Sequence, residues 1–257
     1  RDPSRMAEVL NRVIEKAIRG SAPAQINVPR DYWTQVIEIE LPPIVRLERQ
    51  GGGAEAIDKA AKLLSNAKFP VILSGAGVVI GGAIEETKKL AEKLDSPVCS
   101  GYQHNDSFPG SHPLAVGPLG YNGSKAAMEL ISKADVVLAL GTRLNPFSTL
   151  PGYGIDYWPK KASIIQVDIN PDRIGLTKKV TVGISGDAKL VAQQIFDKLS
   201  SKAGDTDRQK RKDLIHQTKS AWLQKLSSLD HEDDDPGTVW NKEARDRDKD
   251  RMSPRQA

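Results

Sequence analysis

Apolar side chains recur along this chain with two different periods, and the periods mark out its elements. Over residues 4–19, Met6, Val9, Leu10, Val13, Ile14 and Ala17 fall at helical spacing, with Ser4 as N-cap and Gly20 as the stop, which predicts an amphipathic helix. Ala24, Ile26 and Val28 then alternate with Gln25 and Asn27 ahead of Pro29 and predict a short strand. A lone helix and strand cannot enclose a core, so residues 1–33 are expected to finish a domain that begins upstream. Pro42, Pro43 and the run Gly51-Gly52-Gly53 combine stiff and flexible residues, as a connector does, and set a boundary over 34–52.

Beyond that boundary the pattern becomes regular. Helices are predicted over 54–67, 82–94, 124–133 and 187–199, alternating with apolar runs over 70–74, 97–100, 135–141, 163–169 and 179–184. Runs such as Val136-Val137-Leu138-Ala139-Leu140 do not alternate, which suits strands covered on both faces. The expected fold class is therefore α/β, a doubly wound and mostly parallel sheet over 53–203. A long loop rich in Gly, Pro and His follows residue 100. After 203 the chain turns charge-dense, with helices expected over 205–229 and 241–251. Leu214, Ile215, Ala221, Trp222, Leu223, Leu226 and Leu229 could pack one face of the first on another domain. Residues 204–257 read as a charged helical tether over a surface.

Composition narrows the class of partner. A net charge of +4 comes from basic residues scattered among acidic ones, which does not indicate nucleic acid. Cys99 is the single cysteine, so no intramolecular disulfide can form and a reducing compartment, the cytoplasm, is expected. No apolar run reaches the length of a membrane-spanning helix, and no membrane partner is expected. The start, Arg1-Asp2-Pro3-Ser4, lacks an initiator methionine and a signal-peptide profile, and the end stops as though another helix were about to begin. The expectation is a fragment.

Candidate chemistry sits in the turns that follow the strands. Gly75-Ala76-Gly77 lies between a strand and a helix, where glycine lets backbone amides approach a phosphate. Its spacing, Gly-x-Gly-x-x-x-Gly, departs from the dinucleotide fingerprint, and no acidic residue ends the next strand. A tight turn is the competing reading. Tyr102-Gln103-His104-Asn105, Gly120-Tyr121-Asn122-Gly123, Gly141-Thr142-Arg143-Leu144-Asn145 and Asp168-Ile169-Asn170-Pro171 converge on the same edge. Their polar groups could hold a cofactor or simply fix the loops. Arg143 is a cation just past a buried strand and could meet an anion or a structural partner. His104, His112, His216 and His231 lack metal-ligand spacing, and neither a nucleophile elbow nor a P-loop is present. From the residues alone, an α/β scaffold follows and no reaction does.

Several stretches in sequence order resemble thiamine-diphosphate enzymes of the acetolactate synthase group. They run from Ala24-Gln25-Ile26-Asn27-Val28-Pro29-Arg30-Asp31 through Lys68-Phe69-Pro70-Val71-Ile72-Leu73, His112-Pro113-Leu114 and Ala134-Asp135-Val136-Val137-Leu138-Ala139-Leu140-Gly141-Thr142-Arg143 to Val167-Asp168-Ile169-Asn170-Pro171 and Gly186-Asp187-Ala188. Within that group, Gly101-Tyr102-Gln103-His104-Asn105-Asp106, the stretch 145–158 and Asp230-His231-Glu232-Asp233-Asp234-Asp235-Pro236-Gly237-Thr238 are similar to the sulfoacetaldehyde acetyltransferase branch. The resemblance implies a pyrimidine-binding domain ending at residue 33, a central domain over 53–203, and a tether toward a diphosphate-binding domain. It implies thiamine diphosphate and Mg2+ as cofactors, sulfoacetaldehyde and phosphate as substrates, and a homodimer or homotetramer.

It also exposes a departure. Such enzymes use an activating glutamate in the first domain and a Gly-Asp-Gly to Asn motif in the third, and neither is here. Gly186-Asp187-Ala188 and Gly204-Asp205-Thr206 only approximate the latter, and Glu8 and Glu15 on the first helix are not candidates for the former. No catalytic residue or metal ligand is therefore assigned. Some relatives bind FAD or an adenine nucleotide through positions matching Gly120, Tyr121, Asn122, Thr142, Arg143, Asp168 and Asn170. Together with Gly75, Ala76 and Gly77, these form a candidate site that is vestigial on this reading, and FAD is not expected because the implied activity has no redox step.

Overall fold

A computed structural model describes residues 2–20, 22–41, 43, 48–120, 123–200 and 208–229. The chain divides into two compact units, Arg1–Glu48 and Arg49–Ala257.

The first unit holds one α-helix, α1 (Met6–Gly20), preceded by a 3-10 turn that Asp2 caps through its bond from the Ser4 amide. No residue of α1 is buried; its apolar stripe, including Val9, Leu10, Ile14 and Ile18, stays exposed. The strand expected over 24–28 does not form. Residues 23–29 have no regular secondary structure and no ladder partner among the described residues, because an isolated strand has nothing to pair with here.

The second unit runs α2 (Ala54–Asn66), β1 (Pro70–Ser74), α3 (Ala76–Gly81), α4 (Ile84–Leu94), β2 (Val98–Ser100) and β3 (Ala115–Pro118). It continues with α5 (Lys125–Ile131), β4 (Val136–Leu140), β5 (Ser163–Asp168), β6 (Val182–Ser185), α6 (Ala188–Lys198) and α7 (Arg208–Leu229). Its six strands form one sheet in the order β3-β2-β1-β4-β5-β6. Every pairing is parallel, with Ile72 opposite both Val98 and Leu138, and Ile165 opposite both Leu138 and Val182. Order therefore reverses between β1 and β4, the crevice at which open α/β sheets receive ligands.

Burial follows the unbroken apolar runs: Val71, Ile72, Leu73, Val137, Leu138, Ala139, Leu140, Ile165 and Val167 are fully enclosed. The connections β1 to β2 and β3 to β4 run in opposite directions, so right-handed crossovers place α4 and α5 on opposite faces. On one face α2, α4 and α6 pack on one another, and on the other α5 pairs with α7.

Two local expectations are corrected. The turn after β1 continues into the short helix α3, which Gly82 at φ +65° closes before α4 begins. Inside the long Gly- and Pro-rich loop, Ala115–Pro118 forms β3, joined to β2 through a register shift at Val98/Cys99. Gly117 and Pro118 hide it from a pattern search, since both residues are poor strand formers and only pairing with β2 holds them extended.

Of the charged tail, α7 lies against the sheet domain. Arg211, 3% exposed, donates to the Lys68, Leu94 and Asp95 carbonyls near the amino ends of β1 and β2. Eleven residues further on, Trp222 meets Tyr153 edge to face at 5.5 Å, in a loop beyond the carboxyl end of β4. Eleven helical residues rise about 16 Å, the length of a five-residue strand such as β1, so α7 spans the sheet from end to end. The helix expected over 241–251 lies outside the described residues.

Candidate functional site

The candidate residues sit at the carboxyl ends of β1, β3, β4 and β5, and glycine decides how closely those ends approach. A Cβ on Gly75 would stand 2.6 Å from the Gly141 carbonyl oxygen and from Thr142 Cβ, and one on Gly77 would stand 2.7 Å from Gly141 Cα. The two loops are thus packed backbone to backbone across the β1/β4 crevice. The Gly77 amide, a donor that a phosphate would need, goes instead to the Gly141 carbonyl at 2.8 Å. Ala76 opens a helix of only six residues.

The other loops are tied down in the same way. Gly120, at φ +92°, leaves no room for a Cβ, which would fall 1.8 Å from the Phe147 carbonyl oxygen. Ser148 Oγ accepts from the Tyr102 amide at 2.9 Å, and the fully buried Tyr157 hydroxyl donates to the Ser148 carbonyl at 3.1 Å. Tyr153, itself at φ +51°, donates to the Gly123 carbonyl. Thr142, 8% exposed, accepts from the Leu144 amide, and Leu144 adopts φ +54°. Gln103 is likewise left-handed, at φ +69°. Backbone held in such sparsely populated regions tends to gather where a fold does its work.

Asp168 is buried and accepts from the Asn170 amide, while Asn170 caps the following turn through the Asp172 amide. Arg143 is exposed, and its guanidinium makes no hydrogen bond or ion pair with the described residues. Tyr121 and Asn122 lie outside the described residues. The structure therefore brings Gly75, Gly77 and Thr142 into contact and sets Gly120 and Asp168 on strands four places apart, roughly 19 Å at the usual strand spacing.

One organising residue escaped the sequence reading. Gln166, 1% exposed, donates to the Thr142 and Arg173 carbonyls and accepts from the Gly175 amide, so a single amide locks the β4 and β5 loops together. A lone glutamine inside Ile164-Ile165-Gln166-Val167 is the signal that could have revealed it.

A separate cavity of about 530 Å³ opens between α4, α7 and the loop before β3, lined by Glu92, Leu114, Lys212, His216, Lys219 and Leu223 among others. His112 stands beside it. Its Nδ1 accepts from the Leu114 amide and its Nε2 lies 3.2 Å from Glu92.

Comparison with known proteins decides the family. Residues 57–195 match the family model for the thiamine pyrophosphate enzyme, central domain. The chain belongs to that family. A benzoylformate decarboxylase from Polynucleobacter necessarius shares the fold of this central domain, with a TM-score of 0.65 at 22% identity, over 77% of this chain and 37% of that one. Over its whole length the chain is 78% identical to a Rhizobium meliloti (strain 1021) protein named "Probable sulfoacetaldehyde acetyltransferase" and 74% identical to the "Sulfoacetaldehyde acetyltransferase" of Roseovarius nubinhibens. It spans 43% of the length of each. A "Probable acetolactate synthase large subunit" of Methanocaldococcus jannaschii is 34% identical over 88% of the chain.

The family's cofactor does not fit the described residues of this central domain. Among them no cluster of three His, Cys, Asp or Glu could hold the metal of a metal-bound diphosphate. Glu8 and Glu15 are occupied in exposed pairs with Arg5, Arg12 and Arg19 along α1. Asp187 of Gly186-Asp187-Ala188 is buried and caps α6 through the Lys189 and Leu190 amides.

Proposed function

We propose that this chain is the central part of a sulfoacetaldehyde acetyltransferase, converting sulfoacetaldehyde and phosphate to acetyl phosphate and sulfite, with the reactive groups in segments outside it. The observation that carries the reading is identity of 78% and 74% over the entire chain to proteins of that name, against 34% to an acetolactate synthase. On this reading thiamine diphosphate and Mg2+ are held mainly by those other segments, the cofactor supplying an electron sink. The overall reaction needs no external oxidant: the carbon–sulfur bond breaks, its carbon ends as a methyl group, and the aldehyde carbon rises to the acyl level. FAD has no role in it.

In this assignment residues 1–33 close a pyrimidine-binding domain, 34–52 link it to the central domain over 53–203, and 204–257 lead toward a diphosphate-binding domain. A homodimer or homotetramer is the proposed assembly, in keeping with the exposed apolar stripe of α1, and the cytoplasm is the proposed compartment, in keeping with the unpaired thiol of Cys99. The carboxyl-edge set of Gly75, Ala76, Gly77, Gly120, Tyr121, Asn122, Thr142, Arg143, Asp168 and Asn170 is read as a vestigial nucleotide site. The backbone-filled crevice between Gly77 and Gly141 supports that reading.

The test is to assay the intact enzyme for sulfite release against acetolactate formation, and the 257-residue chain beside it. Sulfite from the intact enzyme and none from the chain is expected; acetolactate from the former, or sulfite from the latter, overturns the proposal. Calorimetry with FAD and with ADP is expected to show no micromolar binding.

A further inference from the structure

The helix α7 is anchored at its middle by a lysine whose surroundings differ from those of the ion-paired lysines. Lys59, Lys88, Lys125, Lys160, Lys189, Lys198 and Lys212 each pair with a carboxylate. Lys93 donates to the Phe196 carbonyl and lies over its ring. Lys219 makes no ion pair among the described residues. Its Nζ donates only to two neutral acceptors, the His112 carbonyl at 3.3 Å and the Pro113 carbonyl at 3.2 Å, and its side chain lines the α4–α7 cavity. A neutral amine keeps two N–H groups, enough for both carbonyls, and leaves its lone pair free. Burial acts in the same direction and lowers the ammonium's pKa below its ordinary value.

The groups around this nitrogen carry both signs, Glu92, Asp95 and Asp213 against Lys212. Lys212 and His216 precede Lys219 by seven and three residues along α7 and line the same cavity. Of the acids present, Asp95 is engaged by Arg208 and Lys212, Glu92 faces His112, and Asp213 accepts from the Gln209 side chain. The remaining lining, Pro113, Leu114, Ile215 and Leu223, is apolar apart from Ser220 and can take a small acyl group.

We propose that Lys219 is a modification site, acylated on Nζ by small acyl phosphates that enter the α4–α7 cavity. The Nζ lone pair attacks the carbonyl carbon and a C–N bond forms. The bond from that carbon to the phosphate oxygen breaks, phosphate leaves with the electron pair, and the surplus proton passes to solvent. The natural donor, acetyl phosphate, rests on the function proposed above; the reactivity of the site does not. The product amide carries no charge and a single N–H, so one of the two carbonyls loses its partner and the mid-helix anchor of α7 weakens.

The experiment treats the 257-residue chain with acetyl phosphate, and in parallel with the uncharged donor N-hydroxysuccinimidyl acetate, and follows each lysine by peptide mass spectrometry. With acetyl phosphate, Lys219 is expected to react at least ~3-fold faster than the exposed Lys59 and Lys160, and to lose that advantage in urea. Acetylated chain, or the mimic Lys219→Gln, is expected to exchange α7 amide hydrogens several-fold faster, with α2 unchanged. Equal rates at all three lysines, or a preference that appears only with the uncharged donor, overturns the proposal. Because the donor is supplied, the outcome stands apart from the sulfite assay that tests the activity.

Discussion

At the amino ends of β1, β2 and β4 the domain buries charge against backbone, whereas at the carboxyl ends of β1, β3 and β4 it packs bare backbone against backbone. At the amino end, Asp135 accepts from the Lys68 and Phe69 amides at 2.7 and 2.9 Å, and Arg211 caps three carbonyls, two of them at the C-terminus of α4, where a cation is favoured by the helix dipole. At the carboxyl end the contacts run through Gly75, Gly77, Gly120 and Gly141, with Gln103, Leu144 and Tyr153 held left-handed around them. A charged clamp tolerates some adjustment of its long side chains. A glycine contact tolerates none, so the carboxyl end is the more precisely fixed of the two.

Gly120→Ala is the sharpest way to break that contrast. The added methyl cannot avoid the Phe147 carbonyl, and the residue's φ is left-handed. Urea unfolding is expected to show a loss of about 4 kcal/mol or outright failure to fold. A loss under about 1 kcal/mol would mean that the carboxyl loops are not locked.

At the other end, Arg211→Met keeps the stem and removes the donors, leaving buried carbonyls unsatisfied. A loss of about 2–3 kcal/mol is expected, with faster hydrogen exchange confined to α7 and the end of α4. Asp135→Ala removes the acceptor of two amides and should cost about 1–2 kcal/mol in the same measurement.

Cys99 separates the interior from both ends. Complete burial pushes its thiol well up, so the native state keeps the proton that the unfolded chain gives away. Its contribution to stability is therefore full below about pH 8.5 and declines as pH rises past that point, by up to about 1.4 kcal/mol per pH unit. Cys99→Ala is expected to flatten that decline relative to the parent chain between pH 8.5 and 10.

Arg143→Ala should have the smallest effect, within about 0.5 kcal/mol, because its exposed guanidinium supports nothing among the described residues. Any larger loss of activity in the intact enzyme would then belong to a ligand or a neighbouring segment.

Much of this architecture was legible residue by residue. Unbroken runs such as Val136-Val137-Leu138-Ala139-Leu140 announced a sheet covered on both faces, and the helix expected over 54–67 formed as α2, with Ile57, Ala60, Ala61 and Leu64 on its buried side. Gly75 and Gly77 were visible as a turn, but their partner was not, because Gly141 lies more than sixty residues away and only strand order sets it opposite them. Gln166 looked like a polar interruption and proved to be the tie between two loops. Arg211 was one basic residue among many in a charged run, and nothing local distinguishes a guanidinium that will cap a distant helix from one that will face water.

The sequence by itself determined most helices and strands of the sheet domain and that its sheet is mostly parallel, since those depend on the period of apolar side chains along the chain. Only the tertiary structure decided that β1 and β4 meet at the crevice, that Ala115–Pro118 becomes a strand, and that α7 lies along the domain. The reason is one of range: periodicity is a local property, whereas a backbone contact, a pairing partner and a buried charge are each defined by atoms that the chain brings together from far apart.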